Sequence, residues 1–170
     1  MSLPQDSSSS SPASADIGAA LGRIPSGLFV IAWRTEDHDR VMLASWVMQA
    51  GFEPPMLSVA VAPSREFLAA ARGGLPFVVN VLAEHQRNLL ARFGKPLAEG
   101  QDPFAGLTVE RTAENIAAVA DAASWLACRM VGEAVVDGAD HIVIMARVEA
   151  ARGSSGIEPL VHIRKNGLKY

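Results

Sequence analysis

Two pairs of residues and one lone amide in this chain stand where side-chain chemistry meets the start or middle of a structural element. Ser64 and Arg65 precede a helical pattern, EFLAAAR, and follow the stop at Pro63. A helix start offers backbone N–H groups without intrahelical partners and a partial positive charge. A hydroxyl and a planar guanidinium beside it suit the phosphate of a mononucleotide. Ser64 is the expected N-cap. Arg65 in the first turn would oppose the helix dipole, so it calls for a bound anion. Asp140 and His141 form a carboxylate–imidazole pair at the head of an apolar strand, whose plainest role is to order a hairpin. Asn80 lies inside PFVVNVL, where a buried amide must find partners, either a ligand or neighbouring backbone.

Other reactive side chains point away from common chemistries. Cys128 sits in the apolar run SWLACRMV and reads as a small buried hydrophobe, not a nucleophile. A lone cysteine excludes an internal disulfide and fits a reducing compartment. His38 and His85 fall in polar surroundings and are expected to be solvated. The four histidines and one cysteine show no ligand spacing, so no metal is expected. There is no nucleophile elbow, and Gly73-Gly74 closes a helix where a dinucleotide fingerprint would open one.

The elements that must position these residues are mostly short and apolar. Residues 1–16 are Ser-rich and poor in large apolar groups, and are expected to form a disordered tail. A short helix is expected from Ile17 to Ile24, halted before Pro25. Strands are expected over Ser26–Arg34, Val41–Gln49 and Met56–Ala62, with a polar hairpin loop at Thr35–Arg40 and a break at Gly51–Pro55. The helix EFLAAAR places Phe67, Leu68 and Ala71 on one face. PFVVNVL is a buried strand, Glu84–Phe93 a second helix, and Gly94–Gly106 an exposed loop. Long strands over Ser124–Val136 and His141–Ala151 and a last one over Leu160–Arg164 complete the pattern. Many strands at hairpin spacing and few helices predict a mainly β fold, a closed antiparallel barrel with peripheral helices.

With 170 residues the chain suits one domain, over residues 17–170. A net charge of −3 without basic runs argues against nucleic-acid binding, and any phosphate site must be local. No apolar stretch reaches membrane-span length, and the first residues lack a signal-peptide pattern, so no membrane partner and a cytoplasmic location are expected.

Five segments, in order, resemble the flavin reductase-like family: LASWVMQAGFEPP, PSREFLAAAR, PFVVNVL followed by NLLARF, GADHIVIMARV, and PLVHIRKNGLKY. Within that family the chain looks most like the flavin reductase domain of cyanobacterial flavodiiron proteins, with which it shares the LASW strand and the RK…Y ending. The resemblance spans Ile17–Tyr170 and implies an FMN-binding split β-barrel, as a homodimer with flavin near the subunit interface. It implies that Ala44, Ser45 and Trp46 lie beside the phosphate and ribityl chain, and Gln49 and Ala50 near the isoalloxazine. Ser64 and Arg65 match the phosphate position, and Asn80 a family asparagine. Asp140 and His141 match a Gly-Asp-His signature near the nicotinamide, with Ala139 in place of its glycine and Gly138 one residue earlier. His162 and Arg164 would reach the cofactor of their own or a partner subunit, and Tyr170 would pack terminally.

The chemistry so implied is hydride transfer from NADH or NADPH to flavin, supplying an oxidase or monooxygenase. Such a transfer needs stacking and distance more than an acid–base triad, which agrees with the sparse catalytic inventory. The competing expectation is an FMN-binding or electron-relay module with no nicotinamide site of its own.

Overall fold

The computed structural model describes residues 12–168 except 37, 99 and 154. Most of the expected Ser-rich tail and Tyr170 lie outside the described residues. The chain divides into two compact units, one built from the two chain ends (residues 1–26 and 162–170) and one from residues 27–161.

In the unit of the chain ends, helix α1 runs over Pro12–Gly22 and starts five residues earlier than expected. Its glycines face the C-terminal segment. The Gly167 N–H donates to the Gly18 carbonyl at 2.7 Å, and a methyl group on Gly22 would come within 2.7 Å of the Arg164 carbonyl oxygen. The close approach therefore requires glycine there. Strand β1, Ser26–Gly27, lies where the chain passes into the second unit.

The second unit contains β2 (Phe29–Thr35), β3 (His38–Ala44), β4 (Val47–Phe52), β5 (Pro55–Val61), α2 (Glu66–Arg72), β6 (Phe77–Val81), α3 (Leu89–Phe93), β7 (Val109–Arg111), β8 (Ala117–Val119), β9 (Ser124–Ala134) and β10 (Ile142–Gly153). Strand β11, Val161–His162, leads back to the first unit. Seven of these strands form one antiparallel sheet in the order β3-β2-β6-β9-β10-β5-β4. Its two edge strands, β3 and β4, are consecutive in the chain and only Ser45 and Trp46 lie between them. A link that short cannot span a flat sheet of seven strands, each about 4.8 Å from the next. The sheet must curl until its edges meet at that end, which makes it a barrel split between β3 and β4.

Side-chain alternation confirms the curl. Ile31 and Trp33 of β2 and Phe77 and Val79 of β6 share one buried cluster with Leu57, Val59 and Val61 of β5 and Ile144 and Ala146 of β10. They meet across the barrel interior. Helix α2 adds Phe67 and Leu68; Phe67 lies 4.9 Å from Phe77 and 5.5 Å from Trp33, ring centre to ring centre. Burying such a ring contributes about 1.5–3 kcal/mol. A Schellman pattern ends α2: the Leu75 N–H donates to Ala70, the Gly74 N–H donates to Ala71, and Gly74 takes φ 83°. The alternate residues Val30, Ala32 and Val78 face outward into a second cluster under α3, with Leu89, Phe93, Phe104, Ile116 and Ala118.

Several expectations change. The strand expected over Val41–Gln49 breaks at Ser45–Trp46. The hairpin loop at Thr35–Arg40 shrinks, because β2 and β3 pair through Thr35 and His38. The helix expected over Glu84–Phe93 is a 3-10 turn, Glu84–Gln86, followed by the short α3, because the Gln86 side chain folds back to accept the Ala83 N–H at 3.0 Å. The loop 94–106 is not wholly exposed. Phe104 is buried and its ring lies 6.0 Å from that of Phe93, while Arg92 donates to the Pro103 and Ala105 carbonyls. The last strand is two residues long.

Candidate functional site

The strand registers bring three sequence-predicted groups to one end of the barrel. Val47 of β4 pairs with Val59 of β5, and the Ala60 N–H donates to the Trp46 carbonyl at 3.0 Å. The Ser45–Trp46 link therefore lies beside the last residues of β5, which lead through Ala62 and Pro63 to Ser64 and Arg65. On the other side of β5, Ile142 pairs with Val61. That register places His141 and Asp140 beside Ala62. Residues from three separate stretches of sequence thus meet around the C-terminal end of β5.

His141 is held from two sides. Its Nδ1–H donates to the Asp140 carboxylate at 2.9 Å, which makes Nε2 the acceptor in the neutral ring. Its ring meets the indole of Trp46 edge to face, with centres 4.7 Å apart and planes at 64°. The imidazole is 15% exposed and the carboxylate 93%. The His141 hydrogen bond holds the Asp140 carboxyl below its usual range. Asp140 follows a tight turn in which Gly138 takes φ 79° and the Ala139 N–H donates to Val136. The pair orders the hairpin and also builds a defined imidazole at the barrel's end.

The phosphate candidates differ from expectation in one respect. Ser64 is not the N-cap. Arg65 holds that position with extended backbone and makes no side-chain capping bond, and Glu66 opens the helix. The acid that the dipole favours is therefore in the first turn, and Arg65 stands one residue outside it. Arg40 of β3, which sequence reasoning passed over, reaches Glu66 at 3.6 Å. The pairing joins residues far apart in sequence, so no local signal could reveal it. The Arg65 side chain is exposed and makes no hydrogen bond or ion pair among the described residues. Its guanidinium fits a phosphate. Arg40 is engaged by Glu66, while the Arg65 side chain is exposed.

Gln49 and Ala50 lie farther along the edge strand β4, both exposed, and the Gln49 amide donates weakly to Gly51 O at 3.4 Å. Ala44 ends β3 opposite Phe29. The Asn80 amide finds backbone partners. It is fully buried, donates to Val30 O at 3.0 Å, and accepts the Val119 N–H at 2.7 Å. His162 and Arg164 belong to the unit of the chain ends, and no strand register of the barrel places them with the other candidates. His38 and His85 are exposed, and Cys128 is buried with its thiol pushed up to about 12 by desolvation.

Two recesses of about 450 and 380 Å³ open elsewhere, one lined by Glu84, His85 and Glu158 among others, the second by Arg72, Met130 and Glu133. Neither contains a candidate residue. Among the described residues no helix is long and apolar enough to cross a membrane, and no cluster of three His, Cys, Asp or Glu residues is placed to hold a metal.

Comparison with known proteins agrees with this architecture. An NADH:FAD oxidoreductase of Streptomyces globisporus superposes with a TM-score of 0.76 at 20% identity, covering 85% of each chain. The styrene monooxygenase flavin reductase of Pseudomonas putida gives 0.71 at 23% identity, covering 85% of this chain and 90% of that one. In sequence, diflavin flavoprotein A 1 of Synechocystis sp. is 34% identical over 158 residues, which make up 91% of this chain but 27% of that protein. The chain thus spans about a quarter of such curated relatives. The model of the flavin reductase like domain matches residues 21–167, and the chain belongs to that family.

Proposed function

We propose that this protein is an FMN-binding flavin reductase that takes a hydride from NADH or NADPH. The observation that carries the reading is the convergence of Ser45–Trp46, Ser64–Arg65 and Asp140–His141 around the end of β5 in a chain of this family. Flavin, when bound, supplies the ring that accepts the hydride. Arg65 and Ser64 hold its phosphate by a charge-assisted pair and a hydroxyl. Ala44 and Ser45 line its phosphate and ribityl chain, and Gln49 and Ala50 of the edge strand β4 give its ring backbone and amide hydrogen bonds. His141, with its tautomer set by Asp140, faces the incoming nicotinamide.

Flavin sites normally bury most of the ligand. A second copy of this chain supplies a further wall of the site, and the working form is a homodimer. Reduced flavin passes to an oxidase or monooxygenase in the cytoplasm. The name of the Pseudomonas neighbour links that protein to a monooxygenase, which supports such an acceptor here.

A second reading is an FMN-binding or electron-relay module without a nicotinamide site. It is favoured by Ala139, which stands where the family pattern has glycine, with the positive φ at Gly138 instead. The absorbance spectrum of the protein with FMN, before and after anaerobic NADH or NADPH, decides between them. Binding followed by bleaching is expected. Binding without bleaching by either nucleotide leaves the relay, and no spectral change with FMN overturns both. FAD, named for the Streptomyces neighbour, is the comparison ligand.

A further inference from the structure

We propose that Trp46 is a positioning residue for His141, and that the indole rather than the Asp140 carboxylate fixes the plane of the imidazole. The proposal rests on the reductase reading for its catalytic consequence, but the geometry stands apart from it. The carboxylate and the indole both restrain the ring, and they differ in kind. Asp140 is almost fully exposed, so its attraction is screened by water and its side chain is held by little else. Trp46 is fixed by the barrel itself. Ala44 before it and Val47 after it are both in strand ladders, and its own carbonyl accepts the Ala60 N–H.

His141 is equally well placed at its backbone, between the Gly138 turn and Ile142, which pairs with Val61. Each Cα is thus set by the sheet, and the contact between the rings follows from barrel closure. The carboxylate selects which nitrogen carries the proton, and the indole selects where the other nitrogen points. Trp46, read from sequence as a flavin contact, acts instead through the imidazole.

The test uses the full chain with Trp46→Leu, Trp46→Phe and Asp140→Asn. Without flavin, the His141 ring protons in NMR spectra carry a ring-current shift from the indole. Trp46→Leu should abolish that shift, and Asp140→Asn should leave most of it. With FMN bound, Trp46→Leu should slow bleaching at saturating NADH about tenfold or more, the scale expected of a small misplacement. FMN affinity should stay within about twofold, and Trp46→Phe should restore most of the rate by returning a ring to the same place. An unmoved His141 shift in Trp46→Leu overturns the proposal, as does a larger loss of shift or rate in Asp140→Asn. Loss of FMN affinity at an unchanged saturated rate overturns it too, and makes Trp46 a flavin contact. Absence of bleaching in the wild type defeats the reductase reading alone, and the NMR shifts still decide the positioning.

Discussion

The side-chain oxygen of Asn80 accepts the backbone N–H of Val119 at 2.7 Å, which ties the interior strand β6 to the short outer strand β8. The same amide donates to Val30 of β2. One fully buried side chain therefore bonds the backbone of two other strands. Asn80→Leu keeps the volume and removes both hydrogen bonds, which should cost about 2–4 kcal/mol. Urea denaturation measures it. FMN affinity per folded molecule should not change, and a specific loss of affinity would return Asn80 to the cofactor.

Arg65→Ala should weaken FMN about ten- to a hundredfold, since a hydrogen bond to a charged group contributes about 1.5–3 kcal/mol. Riboflavin, without the phosphate, should bind the variant and the wild type alike. Fluorescence titration with both ligands checks this. Equal losses for the two would place Arg65 against the ring instead.

His141→Ala should leave FMN affinity nearly intact and slow bleaching by NADH or NADPH in stopped flow. The Asp140 carboxyl is lowered by its partner His141, so the contribution of the pair is present above the ordinary aspartate range and is lost only as pH falls through the lowered value. The Asp140 carboxyl carbon in an NMR titration should move below the ordinary value near 3.9. Titration at that ordinary value would show that the hydrogen bond does not persist in solution.

Cys128 should be inert in the native protein. Desolvation raises its thiol from 9.0 to about 12, which leaves about one thiolate in ten thousand at pH 8. A thiol reagent should label it only after unfolding. Because the folded value is the raised one, the stability tied to this thiol is complete below about 9 and falls as pH rises from there toward 12. Rapid labelling of folded protein would contradict the burial.

Strands β6, β9 and β10 and helix α2 were legible because their apolar periods are long and end at clear punctuation, as at Gly73-Gly74. The break at Ser45–Trp46 was not. LASWVMQ is continuous in its apolar character, and only the demand that two edges meet interrupts it. Strands β7 and β8 are three residues each, too short for any period to show. Of the site, the residue types were readable and the contacts were not. Asn80 announced itself as a buried amide without revealing its partners. Arg40 with Glu66 and Trp46 with His141 are pairs that only the folded sheet brings together.

The tether between β3 and β4 is covalent, and no ladder between those strands closes the seam among the described residues. The sheet therefore behaves like a strung bow, its curvature set at the string. Lengthening the tether by a few residues would relax the whole arc and swing the indole it carries away from its neighbour. The length of the Ser45–Trp46 tether is thus a lever on the seam and on the contact between indole and imidazole at once.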